Sequence, residues 1–232
     1  MAAKNQSEQV EWRDGTLPVS QLFDDPYFSL QDGLAETRHV FLAGNGLPVR
    51  LRDGFRIAEL GFGTGLNLLA TVLAWNATGQ AGRVCFTSFE AFPMPVADME
   101  RALAAFPEVR AIADPMLAAW GAGQRRFDLG EVSAEVVIGD AVVTLPRWPG
   151  RADAWYLDGF SPAKNPDLWG EALMRDVAAH TAPGGTFATY TAAGFVRRGL
   201  QTAGFQVERQ AGFGRKRHMS RGQLAAGQGS AG

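Results

Sequence analysis

The chain has one cysteine and three histidines, and no apolar run long enough to cross a membrane. A single thiol excludes an intrachain disulfide, and Cys85, inside Val84-Cys85-Phe86, is expected in the core, where free cysteine usually lies. His39 and His218 have no Cys or His neighbours at metal-ligand spacing, and His180 ends an expected helix, so no metal site is expected. Gly, Pro or charge breaks every apolar run well short of the ~20 residues a spanning helix requires. The polar start Met1–Glu11 also has no signal-peptide core, so a cytoplasmic location without a membrane partner is expected. Charge is nearly balanced, 22 Lys and Arg against 24 Asp and Glu for a net −2, which argues neither for nor against nucleic acid.

What is present is ample apolar material: 46% of 232 residues, enough to bury one sizeable core. Val10–Val19 reads as a hairpin around Asp14-Gly15, and Asp24–Phe41 as a turn entering a helix that stops at Gly44-Asn45-Gly46. Strands follow at Phe55–Leu60, Arg83–Glu90, Ala134–Ile138, Ala152–Leu157 and Gly185–Tyr190. Helices are expected between and after them, at Leu66–Ala77, Val96–Ala105, Pro166–Thr181 and Ala193–Ala203. Alternation of this kind implies parallel β-α-β units and a doubly wound α/β sandwich. Gly204–Glu208 and Gly214–Met219 read as a final antiparallel hairpin at one sheet edge, and Ala225–Gly232 as linker-like.

In such a sheet ligands bind beyond the carboxyl ends of the strands, so the residues ending each strand matter most. The first strand ends on Glu59 and breaks into Gly61-Phe62-Gly63-Thr64-Gly65 before a helix containing Asn67. Alternating glycines allow a sharp turn and close backbone approach to a ligand. A dinucleotide fingerprint would need a third glycine where Leu66 stands. The pattern resembles instead the S-adenosylmethionine loop of class I methyltransferases. Glu90, Asp140 and Asp158 end the next strands, and the expected roles are ribose hydroxyls for Glu90, the adenine amine for Asp140 and the transferred group for Asp158. Asp158-Gly159-Phe160-Ser161-Pro162 lies where amino-group methyltransferases carry an acid or amide followed by prolines; it departs from their double-proline form, which favours an alkyl amine over a planar base amine. Phe160, Tyr156 and Trp155 can supply a wall that excludes water and contacts a cation.

Leu157–Pro166 and Thr189–Leu200, together with Phe23–Ser29, Glu36–Asn45, Glu59–Asn67 and Phe213–Met219, resemble the tRNA 5-aminomethyl-2-thiouridine methyltransferase family. The resemblance implies a class I, Rossmann-like methyltransferase fold with a mostly parallel sheet, an antiparallel final strand and a small N-terminal β/α appendage. It implies S-adenosylmethionine as donor and methylation of a 5-aminomethyl group on the tRNA wobble uridine, with Asp158 as catalytic acid. The expected division is an appendage over 1–50, the methyltransferase domain over 51–221 and a flexible tail over 222–232. In many relatives an FAD-dependent oxidoreductase follows and acts first; this chain ends before one, so it is expected to hold no FAD and to meet such a partner fused or separate.

From Tyr190 onward seven Arg and Lys face only Glu208. With tRNA as substrate, Arg197, Arg198, Lys216 and Arg217 are expected at phosphates of the anticodon stem-loop, with Lys164 nearer the pocket. Tyr27 and Phe28 are expected to stack on an extruded uridine. Two alternatives stand at this point: a small-molecule amine methyltransferase or aminopropyltransferase of the same fold, and a non-catalytic tRNA-binding module that keeps the donor pocket.

Overall fold

The computed structural model describes residues 9–28 and 32–225. It opens with strands β1 (Val10–Arg13), β2 (Leu17–Ser20) and β3 (Asp25–Pro26) and helix α1 (Gly33–Thr37). Then come β4 (Arg56–Leu60), α2 (Leu66–Thr78), β5 (Val84–Glu90), α3 (Val96–Leu103), α4 (Arg110–Gly121), β6 (Arg126–Leu129), β7 (Val132–Ile138) and α5 (Ala141–Thr144). The chain closes with β8 (Ala152–Leu157), α6 (Glu171–Ala179), β9 (Thr181–Thr189), α7 (Gly194–Thr202), β10 (Phe205–Ala211) and β11 (His218–Leu224).

The first three strands pair in a small antiparallel sheet, and the other eight form one sheet in the order β10-β11-β9-β8-β4-β5-β7-β6. From β9 through β7 all neighbours are parallel. At one edge β11 inserts antiparallel between β9 and β10, and at the other β6 folds back on β7. Chain order reverses between β4 and β8, which puts the ligand crevice of a doubly wound sheet at their carboxyl ends.

Both central strands are covered on both faces, as parallel strands require. Alternate residues sort cleanly. Ile57, Ala154 and Tyr156 pack with α2 and α4 through Leu68, Val72, Trp75 and Trp120, whereas Ala58, Leu60, Trp155 and Leu157 pack with α6 and α7 through Leu173, Val177 and Leu200. Each of the large aliphatic side chains among them stabilises the fold by roughly 1.5–3 kcal/mol on burial. Glu59 is the exception in β4, an acid at 0% exposure that must find polar partners inside the protein.

The structure departs from the sequence reading in several places. Residues 106–133, left unassigned, hold α4 and β6; α4 carries Pro115 in its interior, which reads as a breaker, and β6 is an edge strand carrying exposed Arg126 and Asp128. The helix expected over Pro166–Thr181 is a 3-10 turn, Pro166–Trp169, then extended Gly170, then α6. Strand β9 begins at Thr181 rather than Gly185, accommodating Pro183 with a register irregularity against Ala152 and Ala154. Strand β11 is shifted towards the C-terminus and takes in 222–224, which were expected in the tail; 226–232 lie outside the described residues. Cys85 is only partly buried on β5, where its sulfur accepts the Ser133 hydroxyl at 3.6 Å.

Gly61 decides how close β4 and β8 come at the crevice. Its φ is +87°, and a Cβ there would lie 2.8 Å from the backbone oxygen of Asp158. Gly61→Ala therefore forces the two strand ends apart and holds a side chain in left-handed backbone. The expected loss is at least about 1–2 kcal/mol, measured by urea unfolding; unchanged stability would show that the contact is looser than drawn.

Candidate active site

The loop from Gly61 to Gly65 turns β4 into α2, whose N-cap is left-handed Gly65 with no side-chain cap. It is held from β5: the backbone N–H groups of Phe62 and Gly63 donate to Glu90 Oε2 at 2.8 and 3.0 Å, while that of Phe92, just after β5, donates to Oε1 at 2.7 Å. Over this loop and the ends of β5, β7 and β8 opens a cavity of about 860 Å³, within the range of small-molecule sites. Six carboxylates line it, those of Asp25, Glu36, Glu90, Asp140, Asp158 and Asp167, against the cations Lys164, Arg215 and Lys216. A cavity so weighted selects ligands that carry positive charge or hydroxyl donors and disfavours a pyrophosphate.

At its floor the Asn67 side chain joins three elements. One amide proton goes to Glu59 Oε1 and the other to Asp158 Oδ2, each at 2.8 Å, and its oxygen accepts the Thr37 hydroxyl of α1 at 2.8 Å. Glu59 also pairs with the Ser88 hydroxyl at 2.6 Å. Burial pushes the Glu59 carboxyl well above its usual range. Burial likewise pushes Asp158 up to about 7, opposed by the hydrogen bonds from Asn67 and the Gly159 N–H; Glu36 reinforces the rise and Lys216 opposes it. Burial thus raises both neighbouring carboxyls, and Asp158, the one that borders the cavity, exchanges a proton near neutrality.

The N-terminal segment forms the other wall. The Ser161 N–H donates to Asp25 Oδ2 at 2.7 Å, and Lys164 Nζ bonds the Asp24 backbone oxygen and reaches the Asp24 carboxylate at 3.2 Å. Phe160 stacks on Phe23 (4.7 Å between centroids) and meets Tyr27 edge-on (5.1 Å), and Phe92 meets Phe23 edge-on (5.6 Å). These rings collar the entrance.

Gly61, Phe62, Gly63, Thr64, Asn67, Glu90, Asp140, Asp158, Tyr27, Phe28, Phe160 and Lys164 all border the cavity, and so does Lys216, which the sequence reading expected at phosphates instead. Others do not. Glu59 lies beneath the floor and reaches the cavity only through Asn67, because alternation in β4 points it to the layer of α2. Gly65 shapes the helix start. Arg197 is half-buried with its Nε lacking a partner, whereas Arg198 and Arg217 are exposed away from the cavity. Lys164 is committed to Asp24 and Asp25, and Phe28 packs edge-on against Phe106 at 5.2 Å, so neither is free for the contact expected of it. Asp140 spends one oxygen capping α5 through the Val142 N–H. The reading missed Asp25, Glu36, Tyr190 and Arg215; Tyr190 was recoverable, since it follows β9 directly and the strand-end rule applies to it.

Comparison with known proteins decides the family. Residues 107–225, just over half of the chain, match a family described as S-adenosyl-L-methionine-dependent methyltransferase. The chain belongs to that family. It is 46% identical over 228 residues to the tRNA 5-methylaminomethyl-2-thiouridine biosynthesis bifunctional protein MnmC of Chromobacterium violaceum, covering 94% of this chain and 34% of that protein. To the protein of the same name from Pseudomonas paraeruginosa it is 44% identical, covering 98% and 36%. The chain thus spans about a third of the length of these relatives. Among solved structures, MnmC2 from Aquifex aeolicus superposes with a TM-score of 0.76 at 26% identity, covering 96% of this chain and 72% of that one. Spermidine synthase from Thermotoga maritima, at 12% identity and TM-score 0.53, shares the fold alone. The fold is the class I, Rossmann-like methyltransferase sandwich, and the methyl donor is S-adenosylmethionine.

The residues present suit that donor. Glu90 retains a lone pair on Oε1 for a hydroxyl after its three backbone bonds, and the acid-rich cavity suits a positively charged sulfur.

Two expectations follow from the floor. Asn67→Ala removes one donor from each carboxyl, and losing the hydrogen bond to Asp158, about 1.5–3 kcal/mol for a charged group, should lower kcat roughly 10- to 100-fold with less change in donor affinity; an equal loss of donor affinity would reassign Asn67 to donor contact. The second concerns stability. A carboxyl raised from 3.8 to about 7 in the folded state makes the protein progressively less stable as pH rises through that window, and the full penalty persists above it. Asp158→Asn abolishes this titration, so its stability relative to the parent should climb between pH 4 and 8 by up to about 4 kcal/mol. A constant difference across that range, followed by thermal unfolding, would show that Asp158 titrates as an ordinary carboxyl.

Proposed function

We propose that the chain methylates the primary amine of a 5-aminomethyl group on the wobble uridine of tRNA, giving 5-methylaminomethyluridine, and acts in the cytoplasm on the anticodon stem-loop. The supporting observation is Asp158, held by Asn67 at the end of β8, on the cavity and exchanging its proton near neutrality. The names of the relatives and the likeness to MnmC2 support the choice of acceptor.

The donor supplies, when bound, a methyl group on a cationic sulfur. Glu90 and Asp140 would hold its hydroxyls and base, and the loop over Gly61–Gly65 would lie along it. The chemistry left to the chain is that of the acceptor. An alkylammonium has no free lone pair, so it must lose a proton before nitrogen can attack carbon. Asp158 accepts that proton as its carboxylate. Phe23, Tyr27, Phe92 and Phe160 exclude water around the exchange and offer faces to cations. The acceptor reaches this enzyme as a primary amine, so a reaction that unmasks the 5-aminomethyl group must precede it, the role of an oxidoreductase partner.

Phosphates belong outside the acid-lined cavity. Arg215 at its rim and the exposed Arg198 and Arg217 are the contacts proposed for them, with Arg215 replacing the half-buried Arg197 and the committed Lys164 of the sequence reading. An amine methyltransferase acting on small molecules has no use for such a rim, and a non-catalytic module has no use for a proton-exchanging acid.

The test is incubation with methyl-labelled S-adenosylmethionine and tRNA lacking only this methylation, followed by digestion to nucleosides. Label is expected in 5-methylaminomethyluridine, and loss of Arg215 and Arg217 together should flatten the salt dependence of tRNA binding by about two phosphate contacts. Label in free small amines but never in tRNA would overturn the assignment.

A further inference from the structure

The mechanism above uses Asp158 and leaves three neighbours unexplained. Glu36 is 8% exposed on α1, an unusual setting for a carboxylate, and it borders the cavity. Its Oε1 holds Lys216 Nζ at 2.8 Å, and the same ammonium sits over the Tyr190 ring, 4.0 Å from its centre. The ring is fixed in turn, because the Tyr190 hydroxyl donates to the backbone oxygen of Gly159, next to Asp158, at 2.7 Å. A primary ammonium in this place has a buried carboxylate on one side, an aromatic face on another and Asp158 close by, which is the set of groups that binds alkylammonium ligands.

The pair is lopsided. The Glu36 side chain is 10% exposed and that of Lys216 is 45% exposed. Glu36 is a fixture of the floor, while Lys216 arrives from the turn between β10 and β11, where its neighbours Arg215 and Arg217 are exposed. The lysine is the movable member.

Resting on the acceptor reading above, we propose that Glu36 and Tyr190 form the seat of the acceptor's primary ammonium, and that Lys216 is a resident competing cation which the acceptor displaces. The arrangement selects for the amine. A uridine without one cannot replace the lysine at Glu36, whereas an aminomethyl group exchanges ammonium for ammonium and releases Lys216 to the rim beside Arg215.

The test is amine binding to the full chain, with no turnover required. Methylammonium, 5-aminomethyluridine and, as the amine-lacking control, 5-methyluridine are titrated into parent, Lys216→Met and Glu36→Gln proteins and followed by NMR chemical shifts. Removing the competitor is expected to tighten both amines about tenfold, and Glu36→Gln to weaken both about tenfold, with the control indifferent. Methylammonium obeying this pattern while 5-aminomethyluridine binds no variant would keep the ammonium seat and defeat the acceptor reading. Amine binding that is unchanged or weaker in Lys216→Met, or absent from all three proteins, would overturn the seat, and because Lys216 is half exposed that variant stays informative even if Glu36→Gln fails to fold.

Discussion

One amide holds this site together. Asn67 stands between two buried acids, one held otherwise by the Ser88 hydroxyl and the other by the Gly159 N–H, and it gives a proton to each while receiving one from Thr37. An isolated buried carboxylate is costly, and two close together are more so. An amide is the smallest group that donates twice in divergent directions and accepts as well. Through it β4, β8, α2 and α1 meet at a point, so the N-terminal segment is part of the candidate site.

Charge in the molecule is sorted by depth, and the sorting bears directly on the proposed ligands. The net charge is small, yet the cavity is rich in carboxylates and the turn between β10 and β11 carries adjacent cations. An anionic ligand group meets repulsion inside and attraction at the rim. A nucleic acid can rest its backbone on the rim and extend one nucleotide inward, provided that nucleotide brings positive charge. Lys164 and Lys216 face inward, each neutralised by acids of the N-terminal segment, so they moderate the interior field without reversing it.

The frame was readable in advance because it rests on periodicity and on glycine. Strands flanked by helices fixed the sheet, and Gly61-Phe62-Gly63-Thr64-Gly65 marked the crevice. Glu90, Asp140 and Asp158 could be placed at the crevice because each ends a strand or follows its end within two residues, where the chain turns over the crevice. Glu59 was misplaced for the same reason: one residue short of the strand's end, pleat rather than position decides its direction. Glu36 and Lys164 were opaque in a different way, since each takes its meaning from a partner far along the chain, Lys216 for one and Asp24 for the other. Helix α4 was hidden by Pro115, whose local penalty is outweighed by the packing of Met116 and Trp120 in the core.

The geometry also answers an electrostatic difficulty inherent in the proposed reaction. It brings together two ligands that are both cationic in water, and unit charges 4 Å apart repel by about 4 kcal/mol where the effective dielectric constant is near 20. Glu36 and Asp158 oppose that repulsion while the acceptor enters as an ammonium. Once Asp158 takes the proton, the acceptor is neutral, the acid is neutral and a single positive charge remains. An acid of ordinary strength would hold the proton too weakly to leave the amine free. Burial raises Asp158 towards the amine's own affinity, while Asn67 and Gly159 keep it ionisable. The same burial that destabilises the fold at alkaline pH is therefore what fits this carboxyl to accept a proton from an alkylammonium.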